Sequence, residues 1–425
     1  MTDDRPLRPN ADEGREPQFV TARRGTRMMS LAALKERIAD RFFEEYGEDS
    51  PQIREADTPT KRLRMVLDVT NYVLAVESIV ISDDERAGLV SGIYSDLFGY
   101  GALDTLFLDE SITTISIYGA DHTSVRYGHG DLVDLKPQFE DTEHLRRVIA
   151  RLVIDAGAEL REDTPILETG LRVGDRHAAI NVIMPPYTPV ISVDIRLHPI
   201  QAPTLESLVA SGFMTVEAAA FIQKVATSNY GVTISGEPES GKTTLLSALA
   251  AAIPQMDGAV AVERSGEMQL PPHYQRIMVK WAVGDQAGVS FGHQIETALE
   301  QQPALLLLDE IRADEPLSIA PLLSIETPPR QVWSVRGVPD AKRLQSALGM
   351  LARRSALGQG EQLVHALYER LPFVLTTARI NGRLQLFSIA EWQSRVDSDY
   401  PDYVMLFQYR DGASRPTEKS AARWL

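Results

Sequence analysis

The 425-residue chain predicts an α/β protein built on a parallel sheet covered on both faces, with a smaller α/β domain before it and helices before that. Three observations carry this expectation. From about residue 230 onward, apolar runs with strand character (YGVTISG, GAVAVER, ALLLLDEI) alternate with helical stretches (KTTLLSALAAAI, FGHQIETALEQQ), and buried strands separated by helices build parallel sheets. A glycine-bearing stretch, Gly236-Glu237-Pro238-Glu239-Ser240-Gly241-Lys242-Thr243-Thr244, joins the first of these strands to the first helix. The chain is also longer than one hydrophobic core usually serves, so two folded domains are expected.

In chain order, residues 1–29 mix Arg, Asp, Glu, Pro and Gly with few large apolar groups and are expected to form a flexible tail. Residues 30–100 space their apolar positions helically in LAALKERIADRFFEEY and KRLRMVLDVTNYVLAVESIV, which predicts an N-terminal helical region. Within it, Ser82-Asp83-Asp84-Glu85 reads as a capping box. From 101 to 200, short β-rich pieces (ITTISIYG, TSVRYGHGDLV, HAAINVIM, PVISVDIRL) surround the helical EHLRRVIARLVIDAGA, giving a small α/β domain. Pro199 and Pro203 interrupt both periods and mark 201–228 as a linker and a helix. Residues 229–425 then form the second α/β domain. No repeat of solenoid period and no low-complexity segment breaks this order.

Composition excludes several function classes. With 59 acidic and 43 basic side chains the formal charge is -16, which repels phosphate backbones and argues against nucleic-acid binding as the main activity. The absence of cysteine removes disulfides, thiol catalysis and zinc-thiolate sites. Apolar runs such as 304–308 fall far short of the roughly 20 residues that span a bilayer, and the Arg-dotted N-terminus lacks an apolar signal core. A cytoplasmic chain that meets a membrane only through partners is expected. Trp281, Trp333, Trp392 and Trp424 read as packing or interface residues, and the histidines lack metal-ligand spacing.

The stretch from Gly236 to Thr244 fits G-x-x-x-x-G-K-[ST] in full, in the strand-loop-helix setting that this motif requires. Its glycines let backbone N–H groups wrap a β-phosphate while the helix N-terminus adds favourable dipole charge. Lys242 is expected at the β- and γ-phosphates and Thr243 on Mg²⁺. Glu237 and Glu239 are unusual there, because they place negative charge beside phosphates.

Leu305-Leu306-Leu307-Leu308-Asp309-Glu310 is an apolar strand that ends in two carboxylates, the arrangement that holds Mg²⁺ and orients an attacking water. Glu263 ends the intervening strand AVAVE on the same sheet edge. It is either a general base or ligand of an Mg²⁺-bound water, or a solvated strand-end carboxylate.

These pieces resemble the type II and type IV secretion ATPase superfamily, in particular the CpaF-type branch that powers tight-adherence pili and its conjugative relatives. The similarity is carried by FGYGALDTLFLDESITTISIYG, DTPILETGLRVGDRHAAINVIMPPYTPVISVDIR, the phosphate loop with TLLSALAAAIP, VERSGEMQLPPH, GVSFGHQIETALEQQPALLLLDEIRADE and a late FSIAE. The resemblance implies a RecA-like P-loop NTPase domain, ATP and Mg²⁺ as ligands, and a homo-hexameric ring. It also implies inner-membrane pilus or secretion platform proteins as partners. Carried onto this sequence, it puts Lys242 and Thr243 at phosphate and Mg²⁺, Glu263 in the acidic box with Glu267 and His273, Glu310 as the second carboxylate, and Arg196 and Arg276 near the nucleotide. A guanidinium suits that last role because it grips phosphate as a fork, although exposed arginines are usually only solvated.

Departures from the family's pattern are specific. Its acidic box reads Glu-Asp where this chain has Glu263-Arg264, and Asp309 stands where the family commonly has Gly. Both histidines of the family's histidine box are missing from the stretch 325–336, IETPPRQVWSVR. The expected function is an ATP-hydrolysing motor of a pilus assembly or secretion system. The alternatives are a nucleotide-binding structural or regulatory subunit with little turnover, and a nucleic-acid motor, against which the acidic charge weighs.

Overall fold

The computed structural model describes residues 19–20, 29–47, 51–56, 58–312, 316–337, 340–356, 358–395 and 398–423. Most of the stretch 1–29 expected as a tail, and Trp424, lie outside the described residues. The chain divides into two compact units, 1–105 and 106–425.

In the first unit β1 (Phe19–Val20) pairs antiparallel with β2 (Met29–Ser30), followed by α1 (Leu31–Tyr46), α2 (Pro51–Glu55), α3 (Pro59–Val76) and α4 (Asp83–Phe98). Leu34, Ile38 and Phe42 of α1 pack with Val66, Val69 and Val73 of α3 and with Leu89 and Ile93 of α4, the i, i+4 spacing of one helical face. The capping box forms: the Glu85 N–H donates to Ser82 Oγ at 3.2 Å and the Ser82 N–H donates to Glu85 Oε2 at 2.8 Å. Helix α5 (Ala102–Leu108) spans the division between the units.

The second unit holds two sheets. The first is antiparallel throughout, with the order β5-β4-β3-β8-β7-β6. Its strands are β3 (Ile112–Tyr118), β4 (His122–Tyr127), β5 (Leu132–Asp134), β6 (Ile166–Val173), β7 (Arg176–Ile183) and β8 (Ser192–Leu197). Between β5 and β6 runs α6 (Thr142–Asp155), which buries Leu145, Val148, Ile149, Leu152 and Val153. The stretch read as a linker and one helix carries two helices, α7 (Leu205–Ala210) and α8 (Val216–Thr227). Thr204 and Thr215 start them by accepting backbone N–H bonds at Oγ1.

The second sheet is nine-stranded, with the order β11-β10-β12-β13-β9-β14-β15-β16-β17. Six strands run parallel: β9 (Val232–Gly236), β10 (Ala259–Glu263), β11 (Gln275–Met278), β12 (Leu305–Ile311), β13 (Arg330–Arg336) and β14 (Phe373–Ile380). Side chains alternate across it as a pleat requires. Leu305 and Leu307 face the core with α8 and α9 (Lys242–Ala252), whereas Leu306, Leu308 and Trp333 face α10 (Phe291–Glu300), α11 (Ala320–Ser324), α12 (Ala341–Ser355) and α13 (Gly360–Arg370).

The expected parallel sheet is thus extended by three antiparallel strands, β15 (Arg383–Arg395), β16 (Ser398–Arg410) and β17 (Ala413–Pro416). Two-residue turns explain the reversals at both ends. Asn381-Gly382 (φ 51° and 76°) and Asp411-Gly412 (φ 50° and 82°) are left-handed at both positions, which matches the twist of flanking strands.

Candidate nucleotide site

The parallel strands place the loop after β9 and the ends of β12 and β13 on one sheet edge, where α/β sheets gather their functional groups. Gly236 is required sterically: a Cβ there would stand 2.3 Å from Ser240 Oγ and 2.4 Å from Thr377 Oγ1. Gly241, at φ 95°, caps α9 with no side-chain bond. Its first-turn N–H groups therefore face the loop free for an anion. The buried Lys242 ammonium donates to the Glu237 carbonyl at 2.9 Å and lies 3.3 Å from Glu310 Oε2. Burial lowers the Lys242 pKa, and the neighbouring Glu310 carboxylate opposes that shift.

Against this loop the first sheet lays its own face, and together they line a cavity of about 390 Å³, within the range of small-molecule sites. Pro238, Glu239, Gly241, Lys242, Thr243 and Thr244 line it from the loop, and Asp309 and Glu310 from β12. Glu267 and His198 also face it. Burial, then the Glu267 charge, pushes Asp309 up to about 6. Burial likewise raises Glu267, whose Oε1 accepts from Ser265 Oγ at 3.1 Å. Burial and the charges of Arg196 and Arg176 press His198 down to about 4, so its ring, 3.7 Å from Glu267 Oε2, is neutral near neutral pH.

Beside the further carboxylates Glu168 and Asp194, the wall carries six arginines. Arg126 of β4, Arg196 of β8, Arg264, Arg312, Arg336 of β13 and Arg379 of β14 all line it. Arg312 grips Glu168 of the first sheet through both carboxylate oxygens, at 2.7 Å each. Trp281 Nε1 donates to the Glu168 carbonyl at 2.6 Å, tying the same strand to the stretch that follows β11. Guanidiniums gathered this way can receive a polyanion.

The donor set also fits a Mg²⁺ ion carried in with phosphates. Among the described residues no three His, Asp or Glu side chains form a preformed cation cage, and Mg²⁺ ordinarily binds through one or two carboxylates plus phosphate oxygens. Asp309 is a buried carboxylate whose Oδ2 accepts from the Arg264 N–H at 3.3 Å and which also takes a backbone hydrogen bond from Glu310. It lies in the same cavity as Thr243, so a Mg²⁺ ion there would be held by one carboxylate, one hydroxyl and phosphate oxygens.

Two expected site residues go elsewhere. Glu263 is fully buried and both its oxygens are claimed: Oε1 accepts from Arg276 Nε at 2.6 Å, and Oε2 accepts from Arg276 Nη2 and the Met268 N–H at 3.0 Å each. Ala261 and Arg276 are register partners on adjacent strands, so the buried carboxylate and the arginine satisfy each other and neither lines the cavity. Glu267 is the acidic-stretch carboxylate that does. Arg264, the departure from Glu-Asp, braces the end of β12, donating from Nε to the Glu310 carbonyl at 3.0 Å and lying 4.3 Å over the Phe291 ring.

The stretch lacking histidines is β13 with its lead-in. Arg330 donates to the carbonyls of Val225, Ala226 and Tyr230 at 2.8–2.9 Å, and the buried Trp333 indole donates to Gln331 Oε1 at 2.9 Å. Sequence reasoning missed Arg126, Arg312, Arg336 and Arg379, which lie on separate elements and meet only in three dimensions. Arg312 and Arg336 had a signal, as residues at or just past the ends of apolar strands β12 and β13.

Residues 116–327 match the family described as Type II/IV secretion system protein. A Mycobacterium tuberculosis protein named for conjugal transfer is 26% identical over 251 residues, 58% of this chain and 71% of that protein. The type IV secretion system protein VirB11 of Bartonella quintana is 28% identical over 109 residues, 25% of this chain and 31% of that protein. Among solved structures, the Legionella pneumophila ATPase DotB covers 69% of this chain and 80% of its own at 15% identity and a TM-score of 0.47. Residues 116–327 therefore carry the domain of the Type II/IV secretion system protein family, and the chain is a homologue of type IV secretion proteins such as VirB11.

Proposed function

We propose that the chain is an ATP-hydrolysing motor of a pilus-assembly or type II/IV secretion system, of the CpaF-type branch, acting as a homo-hexameric ring. The observation that carries this reading is one cavity lined by the phosphate loop, the acidic end of β12 and arginines of the facing sheet. In this reading the loop's N–H groups and Lys242 bind the β- and γ-phosphates, and Thr243 and Asp309 hold Mg²⁺. The ion supplies charge neutralisation at the phosphates. Glu310, 3.3 Å from Lys242, orients the attacking water. Arg126 and Arg196 belong to the first sheet, so a change of charge at the nucleotide pulls on that sheet as a body. The ring docks on inner-membrane platform proteins from the cytoplasmic side, and nucleic acid is not a substrate.

A second reading, a nucleotide-binding regulatory subunit with slow turnover, is favoured by the sequestration of Glu263 by Arg276 and by the absence of histidine from β13. Mg²⁺-dependent phosphate release by the wild type, Lys242→Ala and Glu310→Gln, with particle size followed by light scattering, separates the two. Turnover lost in both variants, from a ring-sized particle, supports the motor. Tight ATP binding without turnover supports the regulatory subunit, and no nucleotide binding refutes both.

A further inference from the structure

The phosphate loop contains its own anion. Glu239 sits at φ 58° between β9 and α9, and its side chain turns into the cavity instead of out to solvent. Its Oε2 accepts from Arg126 Nη1 at 2.5 Å and lies 3.6 Å from Arg379 Nη1, while Oε1 lies 3.9 Å from Arg196 Nε. Burial would raise the Glu239 carboxyl, but the Arg126 hydrogen bond and the charges of Arg126, Arg196 and Arg379 hold it below its ordinary value.

A carboxylate and a phosphate offer a guanidinium the same forked acceptor. The arginines that would receive the anionic end of a nucleotide are therefore already partnered, and the competing group is tethered to the loop that binds the nucleotide. Tethering makes that competition intramolecular, so it acts at high effective concentration. The carboxylate's own charge adds repulsion, strongest for the ligand with the most negative charge nearest to it.

Resting on the nucleotide-site reading above, we propose that Glu239 is an affinity-setting residue of the phosphate loop: a built-in competitor that holds Arg126, Arg196 and Arg379 until the γ-phosphate of ATP displaces it. Binding then exchanges one anion for another at the same arginines. The first sheet, which supplies Arg126 and Arg196, passes from a contact with the loop to a contact with the ligand.

Calorimetric titration of the full chain with Mg²⁺ and either the β,γ-imido analogue of ATP or ADP tests this. Glu239→Gln is expected to tighten the triphosphate analogue about tenfold or more and ADP by less. In the Arg126→Gln background the same substitution is expected to gain less, because Arg126, the one of the three arginines that donates a hydrogen bond to Glu239, is gone. Glu239→Gly, which suits the left-handed backbone, replaces Glu239→Gln if thermal melting shows the latter misfolded. Unchanged or weaker triphosphate binding by both Glu239 variants overturns the proposal, as does an equal gain with and without Arg126. If the wild type binds nucleotide and Lys242→Ala does not, such a result leaves the site reading standing. If the wild type binds none, the site reading falls first and the proposal with it.

Discussion

Glu263 shows how a single carboxylate can be read two ways. With no solvent exposure it needs a counter-charge, and Arg276, itself 41% exposed, supplies a forked one. Removing one partner of a buried pair leaves the other charge stranded, which costs about 3–5 kcal/mol. Arg276→Ala is accordingly expected to lower the unfolding free energy in urea by about 3 kcal/mol while leaving nucleotide affinity unchanged. A loss of affinity in a stably folded variant would return Arg276 to the site. In the sequence a strand-end glutamate looks the same whether it faces a cavity or the neighbouring strand, and only the pairing of β10 with β11 decides. The meeting of Lys242, Asp309 and Glu310 was legible because each follows an apolar strand at the same sheet edge. Arg126 and Arg379 were not, since nothing local marks an arginine whose partner, Glu239, comes from another element.

The elements divide along the same line. Strands β9, β10 and β12 and helices α9 and α10 were readable because each alternation of apolar strand and helix is local, and their burial follows the pleat. The antiparallel extension was missed although its signals, Asn381-Gly382 and Asp411-Gly412, are among the strongest short hairpin cues. Gly382 sits at φ 76°, and a Cβ added there would meet nothing closer than the His129 carbonyl oxygen at 3.8 Å, so a side chain there meets strain and not a clash. Gly382→Val is expected to cost about 1–2 kcal/mol through the forced left-handed backbone, read as a lower urea midpoint. Asn381→Gly at the preceding position, also left-handed, is expected to be close to neutral. Equal losses from both substitutions would show that the turn's backbone is not what holds β14 to β15.

At the scale of the whole second unit, two histidines whose charged forms burial disfavours lie at the seam between the sheets. The His177 Nε2–H of β7 donates at 2.9 Å to the Ser265 carbonyl, which follows β10 of the other sheet. Burial, then the nearby His198, presses His177 down to about 4, and His198 is likewise pushed down to about 4. Their unfolded-state pKa is near 6.5, so the folded values are depressed. The stability tied to their neutral forms is fully present above pH 6.5 and is lost as the pH falls from there toward 4. In that window each added proton would place a positive charge beside arginines already at the seam, Arg276 for His177 and Arg196 for His198. Between pH 7 and pH 5 the unfolding free energy is expected to fall by at least about 1 kcal/mol from these two groups, and His177→Gln should shrink that fall. Hydrogen exchange adds the spatial test. Acid should first release amides along the seam, in β7 and in the segment after β10, while α9 and the centre of the nine-stranded sheet stay protected. Uniform loss of protection would place the acid-sensitive groups elsewhere and leave the seam no special part in holding the sheets together.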